Sequence, residues 1–252
     1  MSADVIEPEA ADQVARDSLS ERIYAQLRLE LMMGMYEPGA RLNIRGIAAT
    51  SDISPTPVRE AVMQLVREGA LELKLGHQAR VPVLSVREYI EIRETRAPLE
   101  RLASELAAVH ITKDEIASLR DLHRRFVEAE REGRWKDALA VNQAFHFLIY
   151  RCSQNATLVR VIENLWLLIG PFINHQYPLV QRAHIELHPH LLVIDALERQ
   201  SPSEAGELIV RDLREGSYLI LSHLEDEKSK KRRGRKSRSE GAHSLSGKSR
   251  TS

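Results

Sequence analysis

From Val86 to about Leu224 the sequence is almost unbroken helix-period text, which commits more than half of the chain to α-helix. Six helices are predicted there, over about 86–109, 112–132, 135–153, 156–176, 180–199 and 202–223. Upstream, from Leu19 to about Leu84, Gly and Pro punctuate the text instead. A length of 252 residues suits two compact domains of about 100–200 residues each. The expected division is a disordered acidic tail over 1–17, a small domain over 18–84, a helical domain over 85–226 and a disordered basic tail over 227–252. The first tail lacks apolar periodicity, and the last carries too few large apolar side chains to offset the entropy of ordering. There is no internal repeat.

The punctuated segment reads as three helices and a hairpin. The first helix, about Leu19–Met33, sets Ile23, Leu27 and Leu31 on one stripe and stops at Gly34. Asn43 is placed to cap a second, Ile44–Thr50. A third is expected to start at Thr56-Pro57, with Thr as N-cap and Pro at the first position, and to end before Gly69. Its Val58, Ala61, Val62 and Leu65 share an inner face, leaving Arg59, Glu60, Met63, Gln64 and Arg67 outside. Leu71, Leu73 and Leu75 then alternate with charges, Gly76-His77 turns, and Arg80–Val83 returns, which predicts a two-stranded wing. Helix, turn, helix and wing form the plan of a winged helix-turn-helix, whose third helix enters the major groove of DNA. Arg59 in the first turn can reach a base edge or a phosphate; the plainer reading makes Arg59 and Arg67 ordinary solvated charges.

Charge is balanced over the whole chain, 36 Lys and Arg against 36 Asp and Glu, but not along it. Residues 228–252 hold ten Lys and Arg against one acid, a net +9 that leaves −9 for residues 1–227. The basic run is either a solvated tail or a source of sequence-independent phosphate contacts. A single cysteine, Cys152, excludes a disulfide scaffold and Cys-based metal clusters, and is expected to be a buried small hydrophobe. The longest apolar stretch, Leu165 to Ile173, is broken by Gly170-Pro171 and is short of the roughly 20 residues of a spanning helix. The acidic N-terminus is unlike a secretory leader, so a cytoplasmic protein with no membrane partner is expected.

The stretch YEPGARLNIRGIAATSDISPTPVREAVMQLVREGALE resembles the DNA-binding domain of the GntR family of bacterial regulators, through Pro38, Gly39, Leu42, Ala48, Ser54, Thr56, Pro57, Val58, Arg59, Glu60, Ala61, Leu65, Gly69 and Leu71. Pro55 replaces the family's usual Arg, so the usual operator sequence is not carried over. The resemblance implies DNA contacts by Arg45, Thr56, Arg59 and His77. The second half is similar to the effector-binding FCD domain of the FadR-like branch, through Arg96, Leu99, Glu100, Ala103, Ala107 and Ala108, then NQAFHFLIYRCSQNATL and HLLVIDALE. The fold implied is mostly α: an N-terminal winged helix-turn-helix domain followed by an all-α six-helix bundle.

The same resemblance implies a divalent metal on Asn142, His146, His190 and Asp212, a set compatible with Zn²⁺, Ni²⁺ or Mn²⁺. Asn142 and His146 are four apart and share a helix face. The competing reading of His146 is a buried histidine bonded to a carbonyl. Arg96 is implied to face a cavity and pair with an acidic effector; alternatively it forms an i,i+4 pair with Glu100, worth about 0.3–0.5 kcal/mol if exposed. Trp166, Leu167, Leu168, Phe172 and Ile173 are expected to be cavity wall and core, and Gly170-Pro171 to kink their helix.

The expectation is thus a homodimeric repressor that binds an inverted-repeat operator in double-stranded DNA under the control of a small organic acid, with no organic cofactor. The rival is a metal-dependent enzyme built on the helical half, although the chain has no G-x-S-x-G, P-loop or dinucleotide fingerprint.

Overall fold

The computed structural model describes residues 8–73, 78–173 and 188–246. Among them are nine helices: α1 Pro8–Met32, α2 Ile44–Thr50, α3 Pro55–Arg67, α4 Val86–His110, α5 Lys113–Arg131, α6 Trp135–Cys152, α7 Ala156–Ile173, α8 Pro189–Glu198 and α9 Pro202–Ser246.

The first three helices and the wing build a reading head. Ile23, Leu27 and Leu31 of α1 are buried against the inner face of α3, formed by Val58, Ala61, Val62 and Leu65. Asn43 caps α2 as the sequence predicts, its side chain accepting the Gly46 amide at 3.0 Å. The start of α3 differs from expectation: Ser54 is the N-cap, Pro55 is the first helical residue and Thr56 lies inside the helix. Two prolines fit this first turn because their missing N–H groups have no intrahelical acceptor there. The same substitution thins the helix terminus as an anion site, since Pro55 and Pro57 have no amide to donate.

In the wing, Glu72 and Arg80 exchange both backbone hydrogen bonds, at 2.8 and 2.9 Å. Leu42 and Val81 extend the pairing through bonds to Ala79 and Ala40. The paired segments are isolated bridges rather than the two full strands expected. The tip, residues 74–77, lies outside the described residues, and with it the predicted contact His77.

Helices α4 to α9 form the bundle. Capping boxes start α4 (Ser85 with Glu88) and α5 (Thr112 with Glu115), each satisfying two end amides. Helix α9 runs antiparallel to α4, because Tyr89 bonds Ser217 at 3.3 Å while Arg101 meets Glu207 at 3.6 Å. Helix α7 has the length and apolarity of a membrane span, but half of it is buried inside the protein, packed on α1, α4 and α6. It runs on through Gly170 and Pro171 to Ile173. Gly170 is where the backbone of α1 crosses: a Cβ there would sit 2.2 Å from the Leu31 carbonyl oxygen. Arg28 of α1 binds Asn164 of α7 at 2.7 Å and Glu163 at 3.4 Å, so the reading head is docked on the bundle through α1 and α7.

Both terminal segments depart from their compositional reading. Helix α1 begins at Pro8 rather than near Leu19, and α9 continues past Leu224 to Ser246. Ala, Glu, Gln, Lys and Arg are good helix formers, and each segment is joined without a break to a helix already nucleated by packing.

Candidate functional site

A cavity of about 50 Å³ lies inside the bundle, lined by side chains from α4, α6, α7 and α9. It has room for about three or four water-sized groups. Arg96 and Glu100 of α4 face it one turn apart, both buried, at 6% and 1% exposed. The Glu100 carboxylate accepts hydrogen bonds from Arg96 Nε at 2.7 Å, Tyr150 Oη at 2.7 Å and Trp166 Nε1 at 2.8 Å. The Arg96 guanidinium also stacks 4.7 Å above the Trp166 ring. Burial, the largest influence, would lower the Arg96 pKa, but Glu100 together with Tyr150 and Tyr89 offsets it and the net shift is upward, so the cation persists.

Arg96 forms the i,i+4 pair with Glu100, and that pair is buried and lines the cavity. Only Nε is engaged: the two terminal guanidinium nitrogens have no hydrogen-bond partner among the described residues. A planar two-nitrogen fork of this kind matches a carboxylate.

Asn142 and His146 of α6 line the same cavity, as does Asp212 of α9. His146 Nε2 lies 3.3 Å from Asp212 Oδ2, and ligand atoms of His146, His190 and Asp212 all fall within 4.8 Å of one another. The first separation is about the edge of a tetrahedron with bonds of about 2.0–2.1 Å, the length of Zn–N and Zn–O bonds. His190 is 1% exposed, its Nδ1 has no partner among the described residues, and Phe145 stacks on it at 3.9 Å. Burial holds its pKa well below the usual histidine value, which keeps the ring neutral, as a metal ligand must be. The residues present thus fit a divalent ion, with Asn142 close enough to share the cavity but contributing no charge.

A second trio escaped the sequence reading. His123 of α5, His188 before α8 and His190 also bring ligand atoms within 4.8 Å, with ring centroids of His188 and His190 4.4 Å apart. The H-x-H spacing at 188–190 was a readable signal; the approach of His123 depends on how α5 packs on α8. His188 is less suited to an ion. Its Nδ1 accepts the His190 amide at 3.1 Å and so caps α8, which places the proton of the neutral ring on Nε2. The Asp212 trio also supplies the negative charge that this one lacks.

Tyr89 and Ser217, paired at 3.3 Å, add two hydroxyls to the cavity wall. Cys152 is buried, with its thiol pushed up to about 12 by desolvation, and does not ionise at neutral pH. On the reading head, Arg45, Thr56 and Arg59 are all exposed. Arg45 and Arg59 make no ion pair or hydrogen bond among the described residues, so their charge is available to a partner.

Comparison with known proteins agrees with both halves. Residues 19–81 match the bacterial regulatory proteins of the gntR family, and residues 91–215 match the FCD domain. The chain is 34% identical over 180 residues to the HTH-type transcriptional regulator McbR of Escherichia coli K12, covering 70% of this chain and 81% of that protein. It is 27% identical to a probable D-xylose utilization operon transcriptional repressor of Paenarthrobacter nicotinovorans, covering 82% of this chain and 90% of the relative. The solved structure of E. coli McbR/YncC superposes with a TM-score of 0.76 at 29% identity, spanning 81% of this chain and 98% of McbR. A GntR regulator from Rhodococcus sp. RHA1 shares the fold with a TM-score of 0.66. With a winged reading head docked on an FCD bundle, this chain belongs to the GntR family of bacterial transcriptional regulators.

Proposed function

We propose that this regulator is a homodimeric repressor acting in the cytoplasm, whose grip on an inverted-repeat operator is set by a small organic acid bound in the bundle cavity. One observation carries this reading: the unpaired fork of Arg96 shares one cavity with His146 and Asp212, and His190 brings a ligand atom within 4.8 Å of theirs. A divalent ion such as Zn²⁺, Ni²⁺ or Mn²⁺, held by that trio with Asn142 beside it, would supply a second positive centre for the acid's oxygens. Arg96 orients the carboxylate, Glu100 and Trp166 hold Arg96, and Tyr89 and Ser217 offer hydroxyls to a further polar group.

The test is a thermal-shift screen of small carboxylates, run with and without chelator. A hit is expected whose shift disappears on chelation. Arg96→Lys keeps a cation opposite Glu100 but removes the fork, and should weaken that hit by about tenfold or more. Asp212→Asn preserves volume while removing the one charged ligand, so bound metal measured by mass spectrometry should fall below one equivalent per chain. A shift indifferent to Arg96→Lys would place the acid elsewhere.

On the DNA side, two reading helices related by a two-fold axis would read the two half-sites. Arg59→Ala should weaken operator binding by about 1–3 kcal/mol. Its exposed position predicts a melting temperature close to that of the parent protein. Footprinting upstream of its own gene, with no protected inverted repeat, would overturn the repressor reading.

The catalytic alternative has less support. Glu100 already accepts three hydrogen bonds and has little capacity left to act as a base, while Asp212 is engaged with His146. The related proteins are transcriptional regulators by name.

A further inference from the structure

We propose that the basic extension of α9 is a second DNA-binding element, one that contacts phosphates without regard to sequence and supplements the reading helix. Its placement follows from helix register. Because α9 runs antiparallel to α4, with Tyr89 opposite Ser217, the residues beyond about Ile220 pass the start of α4 at Val86. That is the end of the bundle at which the chain arrives from the wing, so the extension leaves on the side of the reading head. Residues 225–246 remain helical, which projects the segment about 33 Å at about 1.5 Å per residue.

Charge gives the occupant. Between Lys228 and Arg238 lie eight Lys and Arg and no acid. The reading head itself is nearly neutral, with eight Lys and Arg against seven Asp and Glu over residues 18–84. Residues 1–227 as a whole are net −9 and would be repelled by DNA. Neutralised phosphates supply most of the sequence-independent affinity of a DNA-binding protein, and in this chain the charge for that lies in the extension. Its spacing also sets like charges four residues apart, as in Lys228 and Arg232 or Lys231 and Arg235. Such pairs destabilise a free helix, and a polyanion laid beside it would relieve the repulsion. The FCD match ends at residue 215 and the buried core positions of α9 reach Leu224, both short of this segment.

The test uses the full chain carrying Lys230→Gln, Lys231→Gln, Arg232→Gln, Arg233→Gln and Arg235→Gln, which retains good helix formers. Binding to a random-sequence duplex is followed by fluorescence anisotropy across a KCl series. The logarithmic salt slope should flatten by about 0.9 for each phosphate that is no longer neutralised, and low-salt affinity should fall by about tenfold or more. A chain ending at Asp226 should behave the same way. Unchanged slope and affinity would overturn the proposal. So would tighter binding, which would show the extension docked on the acidic body, or a loss seen only with single-stranded RNA. Arg59→Ala acts on operator discrimination and should leave the difference in salt slope intact, so failure of this element and failure of the reading helix are separable.

Discussion

Glu100→Ala should melt at least about 6 °C below the parent protein, and as much as 20 °C below, in a far-UV circular dichroism scan. Removing one partner of a buried ion pair costs about 3–5 kcal/mol, because the other charge is left uncompensated. In a chain of this size each kcal/mol is worth about 2–4 °C. Here the stranded cation is Arg96, 6% exposed. Two further donors, Tyr150 Oη and Trp166 Nε1, lose their acceptor in the same step, and a buried unsatisfied group costs about 1–3 kcal/mol. A cavity remains where the carboxylate was, although water entering from the adjoining space can recover part of the loss. The origin of the effect can be isolated. Glu100→Gln leaves acceptor oxygen for Trp166 but still strands Arg96, so it should be nearly as damaging; adding Arg96→Gln removes the unpaired charge and should restore more than half of the lost melting temperature. If the single and double variants melt alike, packing rather than charge holds this centre. The same substitution carries a functional consequence, since Arg96 is aimed by Glu100 and the Trp166 face: Glu100→Gln should abolish the carboxylate-induced thermal shift.

The residues of that centre differ in how far the sequence exposes them. Arg96 and Glu100 are readable because four residues along one helix fix their approach; whether the pair is exposed or buried is decided by α6, α7 and α9, and no local pattern contains that. Trp166 reads only as cavity wall and core and Tyr150 is not singled out, because their polar ends find Glu100 across 66 and 50 residues of chain. The trio His146, His190 and Asp212 was legible through resemblance, and the structure brings its three members together. His123 was not, since its partners come from a helix 65 or more residues away. In the reading head the capping chemistry of Asn43 marks the start of α2 correctly, whereas Thr56-Pro57 misplaced the start of α3. Ser54-Pro55 competes for the same role, and a proline at the first helical position suits either choice. At the termini composition misled, because it measures the cost of ordering an isolated segment and takes no account of a neighbouring helix already in place.

Gly170→Ala should uncouple the reading head from the bundle. Two effects of opposite sign compete. Alanine is the better helix former, by about 1 kcal/mol, so in an exposed helix this change would stabilise. In α7 the new Cβ would lie 2.2 Å from the Leu31 carbonyl oxygen and 2.6 Å from the Met32 Cα. Both are backbone atoms of α1, so no rotamer change relieves the clash and the two helices must move apart. Overpacking of a well-packed contact costs about 1–3 kcal/mol, and here separation also weakens the bonds of Arg28 to Glu163 and Asn164. The clash wins. The effect on signalling should exceed the effect on stability, because Gly170 lies one turn beyond Trp166, which lines the cavity and carries Arg96 on its face. A ligand can shift operator affinity only through different contacts in two arrangements of the molecule, and α7 is the helix that touches both the cavity and α1. In the variant the carboxylate should still bind, giving a thermal shift of the bundle, yet operator affinity should change less than about twofold on its addition. Protease cleavage between Val83 and Ser85 should accelerate as the head loses its docking site. If full ligand control of DNA binding persists while α1 is displaced, the signal travels by another route, and the direct passage from the wing into α4, with Ser85 as its cap, becomes the segment to test.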